Sequence, residues 1–357
     1  MYKYQIKEIK EKYNHAGTKA LEDVFKFAEG EGFRPLYIKQ RAKDTGFLRL
    51  VQNQFGFAWD WLQAFFTVKK NSLILLQNPF KRKHLLRFFI IKMMKKLKKC
   101  RIISIVHDVE PLRMTYYRDF SKTEFEFMIN NVDYLIVHNS IMKNYFVSEF
   151  SISEDRLISL EIFDYAADNI QREEKKRDAD VVVAGNLEKI KSVYAYKLGE
   201  LNDGLKIRLY GPNYEGEAKS ETVEYMGSFP AEEVPNVLDG KFGLVWDGEA
   251  LDTCSGNSGK YLRYNNPHKT SLYLVSGIPV AIWKEAAMAR FVEKENVGIC
   301  VNSLNEIKDK INAVTDEEYK KMLENVNRIA EKLEKGYYLK TALKKCEDKF
   351  VMEQRGN

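Results

Sequence analysis

The sequence predicts an α/β chain of two Rossmann-like domains, each built on a parallel sheet, and three observations carry that prediction. Its 357 residues exceed one ordinary core and suit two. Short runs of branched apolar residues alternate with helical patterns, as in βαβ units. The alternation then breaks in a charged stretch and begins again. Hydrophobic residues at 45% and charged residues at 30% exclude a disordered or fibrous chain.

Taken in order, the N-terminal stretch MYKYQIKEIKEKYNHAG mixes charge with apolar residues and lacks the unbroken apolar segment of a secretory signal. No run is long and apolar enough to span a bilayer, and the four cysteines, Cys100, Cys254, Cys300 and Cys346, form no CxxC pair. A cytoplasmic protein with free thiols is therefore expected. The segment NHAGTKALED places a Gly-Thr turn at a helix start, where Ala16 and Gly17 would let a ligand approach closely. Ser72 to Gln77, Arg101 to Asp108 and Val132 to Asn139 read as strands.

Between the first two, Lys81 to Arg101 carries ten Lys or Arg and no acid. Leu85, Leu86, Phe88, Phe89, Met93 and Leu97 recur there at helical spacing, so the segment reads as a basic amphipathic helix. Such a helix can lie on an anionic membrane or grip nucleic acid, or it can be a crossover helix with its apolar stripe on the sheet and its lysines in water.

Residues 1–163 are thus expected to form an N-terminal Rossmann-like domain, and the charged stretch 164–180 a solvated linker. Residues 181–335 repeat the alternation in DADVVVAGN, LKIRLYGPN, VEYMGSF, KFGLVWDG, IPVAIW and VGICV, giving a second Rossmann-like domain. Several of these strands end in Gly, Asn or Asp, and ligands of open α/β sheets bind where strands end. Residues 336–357 read as a terminal helix that crosses back to the first domain.

The stretch YNNPHKTSLYLVSGIPVAIW, Tyr264 to Trp283, carries the most chemistry. Asn265 or Asn266 suits an N-cap, Pro267 the first helical turn, and Gly277 the helix end. A helix N-terminus offers unpaired N–H groups and the positive end of the dipole to a phosphate. Lys269 adds a full charge there, and His268, Thr270 and Ser271 add donors. A capped helix with incidental polar residues would read the same way. The loop GNLEKIKS after the strand VVVA brings Lys189 and Lys191 within reach of a diphosphate. In HDVEPLR, directly after a strand, His107 and Asp108 are placed to meet substrate, with Asp108 as a base for an acceptor hydroxyl. The alternative there is a turn in which Asp108 caps a helix.

Other chemistries find no motif. There is no GxGxxG, and SGNSGKY lacks the first glycine and the Ser/Thr of a P-loop. Asp178-Ala179-Asp180 precedes a strand instead of ending one, so no metal is expected. Nor do the aromatic residues form stacking platforms for nucleic acid. Two rival classes stay open: a non-catalytic nucleotide- or nucleic-acid-binding scaffold, and a UDP-sugar epimerase or hydrolase.

In order and spacing, IVHDVEPLR, VVVAGNLEK, FGLVWDG and NNPHKTSLYLVSGIPVAIW resemble the bacterial glucosyltransferases that extend glycans on serine-rich-repeat adhesins. They equally resemble the β-1,6-galactofuranosyltransferases of surface-polysaccharide clusters. The resemblance covers nearly the whole chain. It implies the GT-B architecture, with two Rossmann-like domains facing across a cleft, a UDP-sugar donor held mainly by the C-terminal domain, and no further cofactor. It implies UDP contacts at Ala16 and Gly17, at Lys189, near Ser228, and along Asn266, Pro267, His268, Lys269, Thr270 and Ser271. The expected acceptor is a glycan, lipid-linked or on a glycoprotein, and a homo-oligomer is implied as well. The form NPHKTS leans the donor toward UDP-galactofuranose, with UDP-glucose open.

Overall fold

The computed structural model describes residues 1–9, 16–41, 46–80, 82–113, 119–172, 175–201, 204–217 and 221–355, and the side chains of the first helix from Lys19 onward. Two six-stranded sheets organise it, and every strand pair in both is parallel.

The first domain runs β1 (Tyr2–Ile9), α1 (Ala16–Gly30), β2 (Arg34–Lys39), α2 (Phe47–Thr67), β3 (Ser72–Asn78), α3 (Arg87–Lys98), β4 (Arg101–Val106), α4 (Glu110–Arg113), α5 (Asp119–Asn131), β5 (Tyr134–Val137), α6 (Ser140–Phe150) and β6 (Leu157–Ser159). Its strand order is β2-β1-β3-β4-β5-β6. The central strands are unbroken apolar runs because helices cover both faces of the sheet. One face packs residues of α2, α3, α5 and α6.

The second domain runs β7 (Val181–Ala184), α7 (Val193–Lys197), β8 (Ile207–Tyr210), β9 (Val223–Tyr225), α8 (Val234–Val237), β10 (Phe242–Val245), α9 (Gly256–Tyr261), α10 (His268–Val275), β11 (Val280–Trp283), α11 (Ala289–Glu295), β12 (Gly298–Val301), α12 (Ile307–Asn312) and α13 (Asp316–Glu334). Its order, β12-β11-β10-β7-β8-β9, reverses between β7 and β10, which sets a topological switch point at their carboxyl ends. Helix α14 (Tyr337–Arg355) then packs Leu339, Ala342, Leu343, Cys346 and Phe350 with α1 residues on the other face of the first sheet. Its start is held by Asp164, whose carboxylate accepts from the N–H groups of Tyr338 at 3.1 Å and Leu339 at 2.6 Å.

Three local readings of the sequence are corrected. In the basic helix, the stripe turned to the sheet is Arg87, Ile90, Ile91 and Met94, while Leu85, Phe89 and Leu97 face outward. The chain from 164 to 180 is not a solvated linker. Arg172 donates to Val275 O and pairs with Glu334, and Lys175 donates to the carbonyls of Pro235, Asn236 and Leu238, so these two cations tie it to the second domain. In the phosphate-helix candidate, α10 starts at His268 with Pro267 in the cap position, and neither Asn265 nor Asn266 caps it.

Arg87 and Glu124 form a buried ion pair between α3 and α5, with the guanidinium also over the Phe80 ring at 4.2 Å. Removing one partner of such a pair strands a charge out of water, whereas replacing both with apolar groups does not. Urea unfolding of Arg87→Met should therefore show a loss of about 3–5 kcal/mol, and Arg87→Met combined with Glu124→Leu should recover most of it.

Candidate active site

At the carboxyl edge of the second sheet, β7, β8 and β9 each end in a glycine, Gly185, Gly211 and Gly227, with positive φ. Gly211 N–H donates to Gly227 O at 2.9 Å, and a Cβ on Gly211 would lie 1.8 Å from Gly185 O. Close approach of the turns thus requires glycine at 211, and the positive φ favours it at 185 and 227. They leave Asn186, Lys189 and Ser228 exposed on this edge, with the Lys189 ammonium 5.7 Å from the Tyr196 ring.

Across the switch point, β10 ends in Trp246 and Asp247. The Lys269 ammonium, from the first turn of α10, donates to Trp246 O at 2.9 Å and to Asp247 Oδ1 at 2.8 Å. Burial pulls the Lys269 pKa down, but the Asp247 carboxylate outweighs it and the net shift is upward. Lys269 is thus a fixed cation beside the start of α10.

Just before that helix, Asn266 is almost fully buried and engages the first domain with every polar group of its side chain. Its Oδ1 accepts from Asn139 Nδ2 at 2.7 Å, and its Nδ2 donates to His138 O at 2.5 Å and to Glu161 O at 3.1 Å. Its backbone N–H donates to His138 Nδ1 at 2.8 Å, which fixes the His138 proton on Nε2. Ser271 adds a bond from its hydroxyl to Phe163 O at 2.6 Å. The Phe163 ring is stacked between His107, at 5.5 Å, and His268, at 4.6 Å, with His138 edge-on at 5.1 Å. From α1, Lys19 reaches Ala166 O at 2.7 Å and helps lower the His268 pKa.

The first domain's wall comes from the end of β4. His107 Nε2 is 2.8 Å from Gln77 Oε1, Asp108 accepts from Arg113 Nη1 at 2.8 Å, and Tyr261 of α9 accepts from Val109 N–H at 2.9 Å across the interface. Asp108 stays about one-third exposed. Among the described residues, the buried polar atoms that meet no protein hydrogen-bond partner include Glu110 Oε2, His138 Nε2, Asn265 Oδ1, His268 Nε2 and Thr270 Oγ1. Of these, His138 and His268 flank the Phe163 ring between the domains. Unspent buried polar groups are costly, and such a cluster between domains is the signature of a ligand cleft.

Of the residues singled out by sequence, His107 and Asp108 stand at the end of β4 and His268 and Lys269 at the start of α10, with Thr270 fully buried behind them. Pro267 is buried between them and the Asn266 latch. Asn266 and Ser271 have their side chains committed across the interface. Lys189 and Ser228 stand on the glycine edge. α1 begins at Ala16, but the side chains of Ala16 and Gly17 lie outside the described residues, as does Lys81. Sequence reasoning missed Lys19, Glu110, His138, Phe163 and Asp247. Glu110, His138 and Asp247 each sat in a quoted segment at or just after a strand end, and Lys19 sat in the quoted helix start NHAGTKALED, whereas nothing local marked Phe163. A groove of about 680 Å³ between α13 and α14, lined by Arg328, Lys332, Lys335 and Lys340, holds none of these residues.

Two Rossmann-like domains with a nucleotide-type switch point facing a polar interdomain cleft define a GT-B glycosyltransferase. Solved structures agree in fold: HepE of Anabaena in complex with UDP-glucose superposes with a TM-score of 0.60 at 11% identity, covering 98% of this chain and 99% of that one. The lipopolysaccharide outer core galactosyltransferase WaaB gives 0.59 at 11% identity, covering 97% and 99%. By sequence, residues 3–162 match the N-terminal domain and residues 181–346 the C-terminal domain described as glucosyltransferase 3-like. The β-1,6-galactofuranosyltransferase WbbI of Escherichia coli K12 is 35% identical over 269 residues, 74% of this chain and 75% of that protein. Glucosyltransferase 3 of Streptococcus gordonii is 24% identical over 330 residues, 91% and 92%. The chain belongs to the glucosyltransferase 3-like family, and it is a hexosyltransferase.

Burial pushes His138 down to about 3 and His268 down to about 4, so both rings are neutral at pH 7. A histidine whose folded pKa is depressed loses stability as pH falls below its unfolded value of about 6.5. Burial raises Asp164 and Glu124 to about 7, and these titrate with the opposite sign, so the quantity to follow is a difference. The stability of the wild type minus that of His138→Gln, from urea unfolding, should shrink steadily as pH is lowered from 6.5 toward 4. A pH-independent difference would place the ring in contact with water.

Proposed function

We propose that the protein transfers a galactofuranosyl group from UDP-galactofuranose to a hydroxyl of a glycan acceptor, with UDP-glucose as the alternative donor. The observation that carries this is the position of Lys269 and the unspent donors of His268 and Thr270 at the start of α10, opposite Asp108 and Glu110. The names of the two sequence relatives support the two sugars, and the UDP-glucose complex of HepE supports the nucleotide.

In this reading UDP lies against the second domain. Lys189, Ser228, the Ala16 to Gly17 turn and the first turn of α10 surround it, and Lys269 neutralises the diphosphate without a metal. The resting partner of Lys269 is Asp247, so the ammonium is held ready at the switch point and shares its charge when phosphate arrives. Asp108 takes the proton of the acceptor hydroxyl as its oxygen bonds to the anomeric carbon, and the anomeric C–O bond to UDP breaks. The Arg113 pair orients that carboxylate. A metal-independent enzyme on the cytoplasmic side, touching the membrane through Lys81 to Arg101, with a lipid-linked or glycoprotein acceptor and a homo-oligomeric state, completes the reading. Among the described residues no helix is long and apolar enough to cross a membrane.

A panel of UDP-sugars in EDTA, with products resolved with and without a saccharide acceptor, tests the reaction. Release of free hexose irrespective of acceptor would make it a hydrolase. Lys269→Ala should weaken UDP binding about ten- to hundredfold in calorimetry. Wild-type affinity in Lys269→Ala would sink the phosphate assignment. Asp108→Asn should lower kcat by about 10²–10⁴ with the UDP Kd unchanged. If Glu110→Gln shows that loss instead, Glu110 is the base.

A further inference from the structure

Helix α2 packs one side on the sheet through Phe57, Ala58, Trp61 and Ala64. On the opposite face Leu48, Phe55, Trp59 and Phe66 recur at helical spacing and are 80%, 69%, 59% and 78% exposed, with Gln52 and Gln63 beside them. Large exposed apolar side chains gathered on one face mark an interaction surface. Beside it, α3 turns Leu85, Phe89 and Leu97 outward together with Lys83, Lys92, Lys96 and Lys99.

The two helices form one fixed surface. Gln54 donates to Lys83 O and accepts from Leu85 N–H, both at 2.9 Å, and at the other end Lys98 donates to Val68 O and lies over the Phe65 ring. From Phe47 to Arg101 the sequence has a single acid, Asp60, which is buried and paired with Arg41. Lys95 is likewise spent, on Asp133 at 3.0 Å. What remains outward is an apolar stripe about 27 Å long bordered on the α3 side by unopposed cations.

We propose that this α2–α3 face inserts into the surface of an anionic bilayer, with the α2 aromatics at the headgroup–acyl boundary and the α3 lysines at lipid phosphates. The proposal rests on the reading of Lys81 to Arg101 as membrane-facing and adds an apolar anchor that this segment alone does not supply. Charge selects the bilayer over a second copy of the chain. A two-fold pairing of the stripe would carry the lysine borders of both copies into one interface with no acid from this segment to meet them, and lysine is depleted from such interfaces. An anionic leaflet satisfies both halves of the face. Because α2 runs antiparallel to the strands, its start adjoins the strand ends that carry His107 and Asp108. Docking therefore brings the acceptor wall of the cleft to the membrane and selects a lipid-linked acceptor.

Trp61, Trp246 and Trp283 are buried, so intrinsic fluorescence can report Trp59. Phosphatidylglycerol vesicles should shift the emission of the wild type to the blue, and Trp59→Phe should sediment with vesicles without that shift. Phe55→Ser, Trp59→Ser and Phe66→Ser together should lower the partition coefficient by about tenfold or more, with UDP binding in vesicle-free buffer unchanged. Sedimentation without a shift, undiminished in the triple variant, would mean contact through lysines alone and overturn insertion. Failure to sediment would overturn it too, as would a vesicle-free dimer that the triple variant converts to a monomer. Absence of UDP binding in the wild type would instead strike the transferase reading, independently of the vesicle result.

Discussion

The side chain of Asn266 is the constraint on which the cleft depends. It follows the bend after α9, in the second domain, yet all of its hydrogen-bonding capacity is spent on His138, Asn139 and Glu161 of the first. A primary amide is suited to this because it donates and accepts at once, and it can bridge a carbonyl and another amide without bringing a charge into a dry interface. Asn139 meanwhile caps α6 with its own Oδ1, so the latch is continuous with a helix start in the first domain. The consequence is geometric. His268, Lys269 and Thr270, the next residues but one, two and three along the chain, are delivered to the cleft with their orientation set by both domains.

That arrangement resolves how a cation can be stored in a partly buried site. Lys269 would be neutralised or expelled if burial acted alone, but Asp247 at the end of β10 holds it charged. The pair sits where the sheet order reverses, so the charge is placed by topology and not by a mobile loop. Two neutral histidines on the same interface avoid adding like charge to it. The Phe163 ring between them fills the apolar remainder.

How much of this was legible in the sequence follows from how local each signal was. Strands buried on both faces are continuous apolar runs, so SLILLQ, RIISIV and VVVA announced β3, β4 and β7. β1 was less plain, because YKYQIKEI mixes lysines and glutamine with its apolar residues, and only the fold shows Gln5 buried against the carbonyls of Phe25 and Phe33. His107 and Asp108 stood out because α/β sheets bind ligands at strand ends, and Lys269 because a helix start attracts anions. Asn266 was assigned the wrong partner, since a buried Asn before a proline fits a helix cap as readily as a domain latch. The difference lies in residues more than a hundred positions away, which no local pattern encodes.

The basic segment shows the same limit with a further physical lesson. Its hydrophobic residues outnumber what one helical face can hold, so periodicity alone permitted two stripes, and the sheet took Ile90, Ile91 and Met94. β-branched and flexible side chains fill a core against strands more closely than the aromatic ring of Phe89 at that spacing would, and the buried Arg87 is tolerated because Glu124 and the Phe80 ring enclose it. With Ile90, Ile91 and Met94 inward, Leu85, Phe89 and Leu97 are left facing out. The first domain is therefore two-sided: α1 and α14 seal one face of its sheet and join it to the second domain, while α2 and α3 carry apolar surface that this chain does not itself cover. A fold that commits one side to the partner domain and leaves the other apolar and cationic has its orientation toward a surface built into the packing of its core.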